Sequence, residues 1–157
     1  MIRWVILIAL AVVVAVLTIA APSVLAKNTF LDAFVSHEIL ALLIVILTIT
    51  LASVGNIHLT ITRLVNRFEN KAEGELQATP ARNELNSNAW SLLWAFCVCL
   101  VALLIKGGFS DEPYLVSLMN GAAVVILVYN LLVLYDIYTT VFDLVKQDGT
   151  AHEHKAE

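Results

Sequence analysis

The side chains that could support catalysis are few, and their spacing does not suit it. His37 and Glu38 lie in the segment SHEIL, but Ala41 stands where a zinc-protease helix would place its second histidine. Ser36 and Asp32 lie close by in sequence. Adjacent helix positions point about 100° apart, however, and cannot form a nucleophilic relay. The sequence therefore predicts a protein that is not an enzyme.

The remaining histidines and cysteines do not form a metal or redox motif. His152 and His154 lie in a polar tail, residues 148–157, where simple solvation is expected. Cys97 and Cys99 point about 200° apart on a helix and cannot bridge one another. No glycine-rich phosphate loop and no haem or iron–sulfur pattern occurs. We expect no cofactor and no bound metal.

Polar side chains inside apolar segments are more informative. In GNIHLTITRLVNRFENK, residues 55–71, Asn56 and His58 occupy positions where lipid-facing residues would be apolar. A polar group in hydrocarbon needs a partner, so these side chains are expected to face another helix or water. The predicted intramembrane polar face consists of His37, Thr48, Asn56, His58, Asn120 and Asn130.

Helix geometry groups the polar and small residues of the second apolar segment. At 100° per residue, one arc of about 120° contains His37, Thr48, Ala52, Gly55 and Asn56. His58 lies about 40° beyond the edge of this arc, so its placement is less well defined. Small residues allow helices to approach closely, and Gly55 is therefore expected to mark a helix contact.

The composition indicates a lipid environment. The chain has 157 residues, of which 60% are hydrophobic and 14% charged, with a mean hydropathy of +0.86, well outside the range of soluble domains. A net charge of −4 provides no basic surface for nucleic acid. The length suits one membrane domain, residues 1–157, whose main contact is the lipid bilayer.

Four apolar segments are long enough to cross a bilayer. They cover residues 4–21, 39–61, 89–105 and 114–135, against the roughly 20 residues that span about 30 Å of hydrocarbon. Only helices satisfy their own backbone hydrogen bonds in lipid without a closed barrel. The sequence thus predicts an all-α polytopic membrane protein, a four-transmembrane-helix bundle.

The first apolar segment also has the parts of a secretory signal. Arg3 precedes it, and Val24 and Ala26 occupy small-residue positions after Pro22. Its apolar core is longer than the about 7 to 15 residues of a typical signal. We expect a retained helix, with removal of residues 1–26 as the alternative.

Basic residues indicate the orientation, because Lys and Arg in short loops resist translocation. If the amino terminus is inside, seven basic residues lie inside and two, Lys27 and Lys106, lie outside. The inner set is Arg3, Arg63, Arg67, Lys71, Arg82, Lys146 and Lys155. Both termini are therefore expected in the cytoplasm, with the protein in a bacterial inner membrane; the alternative is the equivalent side of an organelle membrane.

The second and fourth helices are expected to extend into the cytoplasm, over residues 62–88 and 136–147. Apolar residues recur among the charges of TRLVNRFENK, as in an amphipathic helix. The second helix is expected to continue to about Glu73, with a turn at Pro80 and the third helix beginning near Arg82. These extensions could contact a cytoplasmic protein or lie on the membrane surface.

Two functional interpretations follow. The first is a homo-oligomeric membrane module of the pore, gate or sensor type, with polar helix faces around an axis and a cytoplasmic or membrane protein partner. The alternative is a structural or assembly subunit of a larger membrane complex. No Asp, Glu, Lys or Arg lies within the four apolar segments, which disfavours proton-coupled or cation-coupled transport.

Overall fold

The computed structural model describes residues 2–66 and 70–153, and these are helical without any strand. The all-α prediction is confirmed. The helices are α1 (Ile2–Ala20), α2 (Pro22–Ala26), α3 (Thr29–Phe34), α4 (His37–Val65), α5 (Lys71–Gly108) and α6 (Pro113–Glu153). Arg67, His154 and Lys155, and positions 68–69 of the predicted extension, lie outside the described residues.

Three of these helices are long and apolar enough to cross a membrane. They are His37–Val65, Lys71–Gly108 and the Pro113–Thr140 part of α6. Long uncharged runs of Leu, Val, Ile and Ala give each of them its apolar character. The first helix is apolar from Trp4 to Ala20 but shorter. The three long apolar helices indicate a membrane protein.

The predicted extension of the second helix is wrong, because α4 ends at Val65. Asn66 caps this end, and α5 begins at Lys71 after the Asn70 side chain accepts a hydrogen bond from the Ala72 amide at 3.2 Å. Asparagine side chains compete with helical backbone bonds and favour caps, which explains a break here. Most of the charged segment predicted to extend α4 therefore belongs to α5.

The predicted turn at Pro80 is also wrong, since this proline lies inside α5. Proline removes one backbone hydrogen bond and usually kinks a helix. Pro80 is exposed, and side-chain bonds cross the neighbouring turns. Thr79 donates to the Glu75 carbonyl at 2.7 Å, and Arg82 forms an ion pair with Glu75 at 3.0 Å. The helix therefore continues through the proline.

The long helices α4, α5 and α6 pack together, with α1 and α2 against α6. One buried cluster surrounds Ile61, Leu85 and Val133, near the end where α5 begins. A second cluster surrounds Ile39, Cys99 and Ala123, towards the opposite end. Because lipid is as apolar as these side chains, close packing rather than transfer from water stabilises such contacts in a membrane.

Candidate functional site

The two sides of α4 differ in chemistry and in exposure. Its buried side carries mainly aliphatic residues, namely Ile39, Leu43, Ile46, Val54, Ile57, Ile61 and Val65, together with Thr50. On the other side, Thr48, Ala52, Gly55 and Asn56 are exposed, at the spacing of one helical face. We call these four residues the outward face. These four residues are thus exposed, in contrast to Thr50.

Gly55 does not contact another helix of the same chain. A Cβ built on this glycine would meet no atom within 4 Å. The expected close approach at Gly55 is therefore not made within the chain. If Gly55 marks a helix contact, the partner helix must come from another molecule.

Hydrogen bonds on α4 leave the Asn56 amide unsatisfied. Thr48 Oγ1 donates to the Ile44 carbonyl at 2.8 Å, and Thr60 Oγ1 donates to the Asn56 carbonyl at 3.0 Å. The Asn56 side chain is exposed and forms no hydrogen bond with the described residues. His58 is half-buried, and its backbone carbonyl accepts from Thr62.

The two predicted asparagines of α6 are buried, unlike Asn56 of α4. Asn120 is 0% exposed, and its Nδ2 donates to the Leu25 carbonyl of α2 at 2.9 Å. Asn130 Nδ2 donates to the Ile126 carbonyl of its own helix at 2.8 Å. The structure therefore divides the six predicted residues: Asn120 holds two helices together, whereas Asn56 faces outward. His37 is exposed at the start of α4.

Sequence reasoning missed a buried hydroxyl in the middle of α4. Thr50 is 0% exposed, and its Oγ1 has no hydrogen-bond partner among the described residues. The spacing could have revealed it, because Thr50 lies four residues after Ile46 and four before Val54, both buried. Ser117 and Thr18 were also missed, and their hydroxyls lie 3.4 Å apart between α6 and α1.

A cavity of about 340 Å³ separates part of α4 from α6. Its α4 side supplies Thr50, Ser53, Asn56 and Ile57, and its α6 side supplies Leu134, Ile137 and Tyr138. We call it the α4–α6 groove. The α4 wall of the groove is thus mainly polar, and the α6 wall is mainly apolar. The α4 residues of the groove lie within a helix that is long and apolar enough to cross a membrane.

A second cavity, of about 230 Å³, lies between α1, α5 and α6. It is lined by Trp4, Leu7, Ser87, Asn88, Ser91, Tyr129, Leu132, Val133 and Asp136. Hydrogen bonds within single helices hold part of this lining, since Ser91 Oγ donates to the Ser87 carbonyl at 2.9 Å. Among the described residues, no group of three His, Cys, Asp or Glu side chains could hold a metal ion.

Charged side chains fasten the two ends of the helix bundle. Lys106, at the end of α5, donates to the Val35 carbonyl at 2.9 Å and pairs with Asp32 at 3.1 Å. At the opposite end, Arg82 of α5 donates to Thr62 Oγ1 of α4 at 3.1 Å. The Lys106 contacts join α5 to the segment before α4, and the Arg82 bond joins α5 to α4 itself.

No protein-family model, curated protein or solved structure matches the chain. Function must therefore be inferred from the arrangement of these side chains.

Proposed function

We propose that the chain is a four-helix integral membrane protein that assembles with copies of itself through the outward face of α4. In this proposal α1 crosses the membrane as well, in addition to the three long apolar helices α4, α5 and α6. Its 19 residues reach about 28 Å at 1.5 Å per residue, close to the thickness of the hydrocarbon core. Val14 and Thr18 of α1 are buried, which supports packing of this helix along α6.

The exposed Asn56 amide is the observation that carries the proposal. Arg63 lies seven residues further along α4, so Asn56 lies about 10 Å inside the first charged residue of that end. An unpartnered amide in hydrocarbon costs roughly 2 to 7 kcal/mol. Another protein surface or water must therefore meet Asn56. Ala52 and Gly55 beside it would allow a helix of a second copy to approach closely.

Cyclic assembly would bring the outward faces together around an axis. Each copy contributes the same surface in a closed symmetric oligomer. Thr48 and Asn56 lie eight residues apart, or about 12 Å along the helix, so they would form polar rings at two depths. We infer a pore, gate or membrane-sensor module. Because its lining carries no charge, passage through it would be controlled by wetting and dewetting of the pore rather than by rings of charged side chains.

A protein partner would reach the module at the end where α5 begins. Residues 71–88 of α5 precede its apolar part, and α6 continues past residue 135. Leu76 is exposed there, and the rings of Tyr138 and Phe142 stack at 6.4 Å on the surface of α6. The basic-residue asymmetry supports a cytoplasmic position for this end, and we propose a bacterial inner membrane as its location.

Native mass spectrometry in nanodiscs tests the assembly. The parent chain is expected to form one defined homo-oligomer. Ala52→Leu adds bulk to the outward face and is expected to yield protomers, whereas the neighbouring Leu51→Ile should leave the oligomer intact. A parent chain that is only monomeric would overturn the proposal and favour a subunit of a larger complex.

Potassium flux from reconstituted vesicles tests the conducting role. Asn56→Leu is expected to preserve the oligomer and reduce flux, because it replaces an amide ring on the axis by an apolar one. Leu51→Ile serves again as the control. If Asn56→Leu destroys the oligomer without changing residual flux, the amide only holds copies together and the pore is excluded.

A further inference from the structure

The α4–α6 groove combines hydrogen-bonding groups with a central position in the membrane-spanning part of α4. Thr50 is 13 residues from both His37 and Arg63, which corresponds to about 20 Å on either side. Asn56 lies nearer the Arg63 end, and Tyr138 lines the groove on the α6 side. The groove therefore offers polar atoms from near the membrane centre towards one boundary.

The Thr50 hydroxyl differs from the hydroxyls of the other threonines in the same helix. Thr48, Thr60 and Thr62 each donate to the carbonyl four residues back, at 2.8 to 3.0 Å. This local bond is the usual way in which a helix satisfies threonine in an apolar setting. Thr50 lines the groove and is buried, yet its hydroxyl forms no such bond. A buried hydroxyl without a partner is costly, so a group from outside the chain is expected to bind it.

The lining of the groove excludes a charged ligand. None of the residues that line it carries a charge. A phospholipid keeps its charged headgroup at the membrane surface, because moving a charge to the membrane centre is costly. Its polar atoms would then lie too far from Thr50. The ligand must be an uncharged molecule that dissolves in the membrane and carries its hydrogen-bonding group to that depth.

We propose that the α4–α6 groove binds an uncharged, hydroxyl-bearing membrane lipid of the diacylglycerol type. Its hydroxyl or ester carbonyl bonds Thr50 Oγ1, while an acyl chain lies along Leu134 and Ile137. The cavity volume of about 340 Å³ falls at the small end of ligand sites, which span roughly 300 to 1,000 Å³. The groove thus holds one chain and the adjoining polar group, with the remainder of the lipid in the bilayer.

The bond to Thr50 does not depend on the oligomer proposed above, although Asn56 borders both the groove and the outward face. Thr50 lies on the buried side of α4 and faces the groove, whereas Thr48 and Ala52 lie on the outward face. Substitutions can therefore separate lipid binding from assembly.

Photolabelling of the full chain in nanodiscs tests the proposal. The probe is a diacylglycerol with a diazirine in one acyl chain, and labelled residues are identified by mass spectrometry. Labelling is expected on α4 and α6 at the groove, with competition by unlabelled diacylglycerol. Phosphatidylcholine with the same chains should not compete. Equal competition by both lipids would overturn the proposal.

Thr50→Val removes the hydroxyl at nearly constant volume. Loss of one hydrogen bond is expected to weaken labelling roughly five- to tenfold. Thr60→Val is the matched control, since that hydroxyl bonds within α4 and lies outside the groove. Without added lipid, Thr50→Val should melt no lower than the parent, because its hydroxyl has no partner in the chain. A lower melting temperature, or unchanged labelling, would overturn the proposal.

Two further measurements address occupation of the groove. Leu134→Trp fills the apolar wall and is expected to abolish labelling at the groove, and persistent labelling would contradict the site. Ser53→Cys tests for a second copy of the chain in the groove. Rapid disulfide formation between copies through this cysteine would show that protein fills the groove and would overturn lipid binding.

Discussion

Gly121 of α6 lies directly against Val14 of α1. A Cβ built on Gly121 would stand 2.2 Å from Val14 Cγ1, and 3.6 Å from Leu25 Cδ1 of α2. Carbon atoms in contact normally lie about 3.5 to 4.0 Å apart. The missing side chain at position 121 therefore allows α1 to pack closely on α6, in the way that small residues do between membrane helices.

Replacement of Gly121 by alanine should destabilise this contact. Valine is stiff in a helix, with one strongly preferred rotamer, so Val14 cannot easily turn its methyl group away. Overpacking of this kind costs typically 1 to 3 kcal/mol, and we expect Gly121→Ala to lower the free energy of unfolding by this amount. Denaturant titration in detergent micelles measures it. Gly107→Ala is the control, because a Cβ at position 107 would meet no atom within 4 Å. Equal unfolding of the two variants would contradict the contact.

The hydrogen bond from Asn120 to the Leu25 carbonyl should hold α2 in place. Asn120→Leu removes the donor, and the loss of about 1 kcal/mol should increase local opening around α2 about fivefold. Lys27 is exposed just after α2, so the rate of tryptic cleavage there reports the opening. Asn130→Leu is the matched control, because Asn130 bonds only within α6. Identical cleavage rates for the two variants would show that Asn120 does not anchor α2.

The helical class could be predicted from the sequence because long apolar runs have few structural solutions in lipid. The break between α4 and α5 could not, since a charged amphipathic pattern continues across it and only the Asn70 cap marks the new helix. The prediction of a turn at Pro80 failed because it relied on local sequence alone. A proline disfavours helix locally, but packing of α5 on its neighbours outweighs this preference.

The sequence also could not predict which way the polar face of α4 points. Helical periodicity groups Thr48, Ala52, Gly55 and Asn56, yet a polar face in a membrane can turn towards helices of the same chain or towards another molecule. The unpartnered hydroxyl of Thr50 could not be predicted either, because a single threonine in an aliphatic run gives no sign that its hydroxyl lacks a hydrogen-bond partner. Both properties depend on how α4 packs against α5 and α6.

Cysteine accessibility tests the predicted orientation. Ser110 follows α5, and Ser87 lies in the part of α5 before its apolar run; both are exposed. Because the proposed four-span topology puts seven basic residues on one side and two on the other, Ser110→Cys should react with an impermeant maleimide in intact cells. Ser87→Cys should react only after permeabilisation. Both variants are made with Cys97→Ser and Cys99→Ser, and Ser87→Cys labelling in intact cells would reverse the orientation.

Arg82 should connect α5 to α4 mainly through Thr62. Its Nη2 donates to Thr62 Oγ1 at 3.1 Å, and its Nη1 pairs with Glu75 Oε2 at 3.0 Å. The Arg82 side chain is 25% exposed and that of Glu75 is 51% exposed, so water and salt screen the ion pair. We expect a double-mutant cycle of Arg82→Leu and Thr62→Val to give a coupling of about 1 kcal/mol.

The corresponding cycle of Arg82→Leu with Glu75→Gln should give a coupling of roughly 0.2 to 1 kcal/mol in low salt. This coupling should fall towards zero at 1 M salt, where the screening length is about 3 Å. The Arg82–Thr62 coupling should persist, because a hydrogen bond to a hydroxyl contains only one charge. Denaturant titrations of the four variants in each cycle, at both salt concentrations, measure the two values. A coupling to Thr62 that vanishes in salt would mean that the contact between α4 and α5 depends on the ion pair with Glu75.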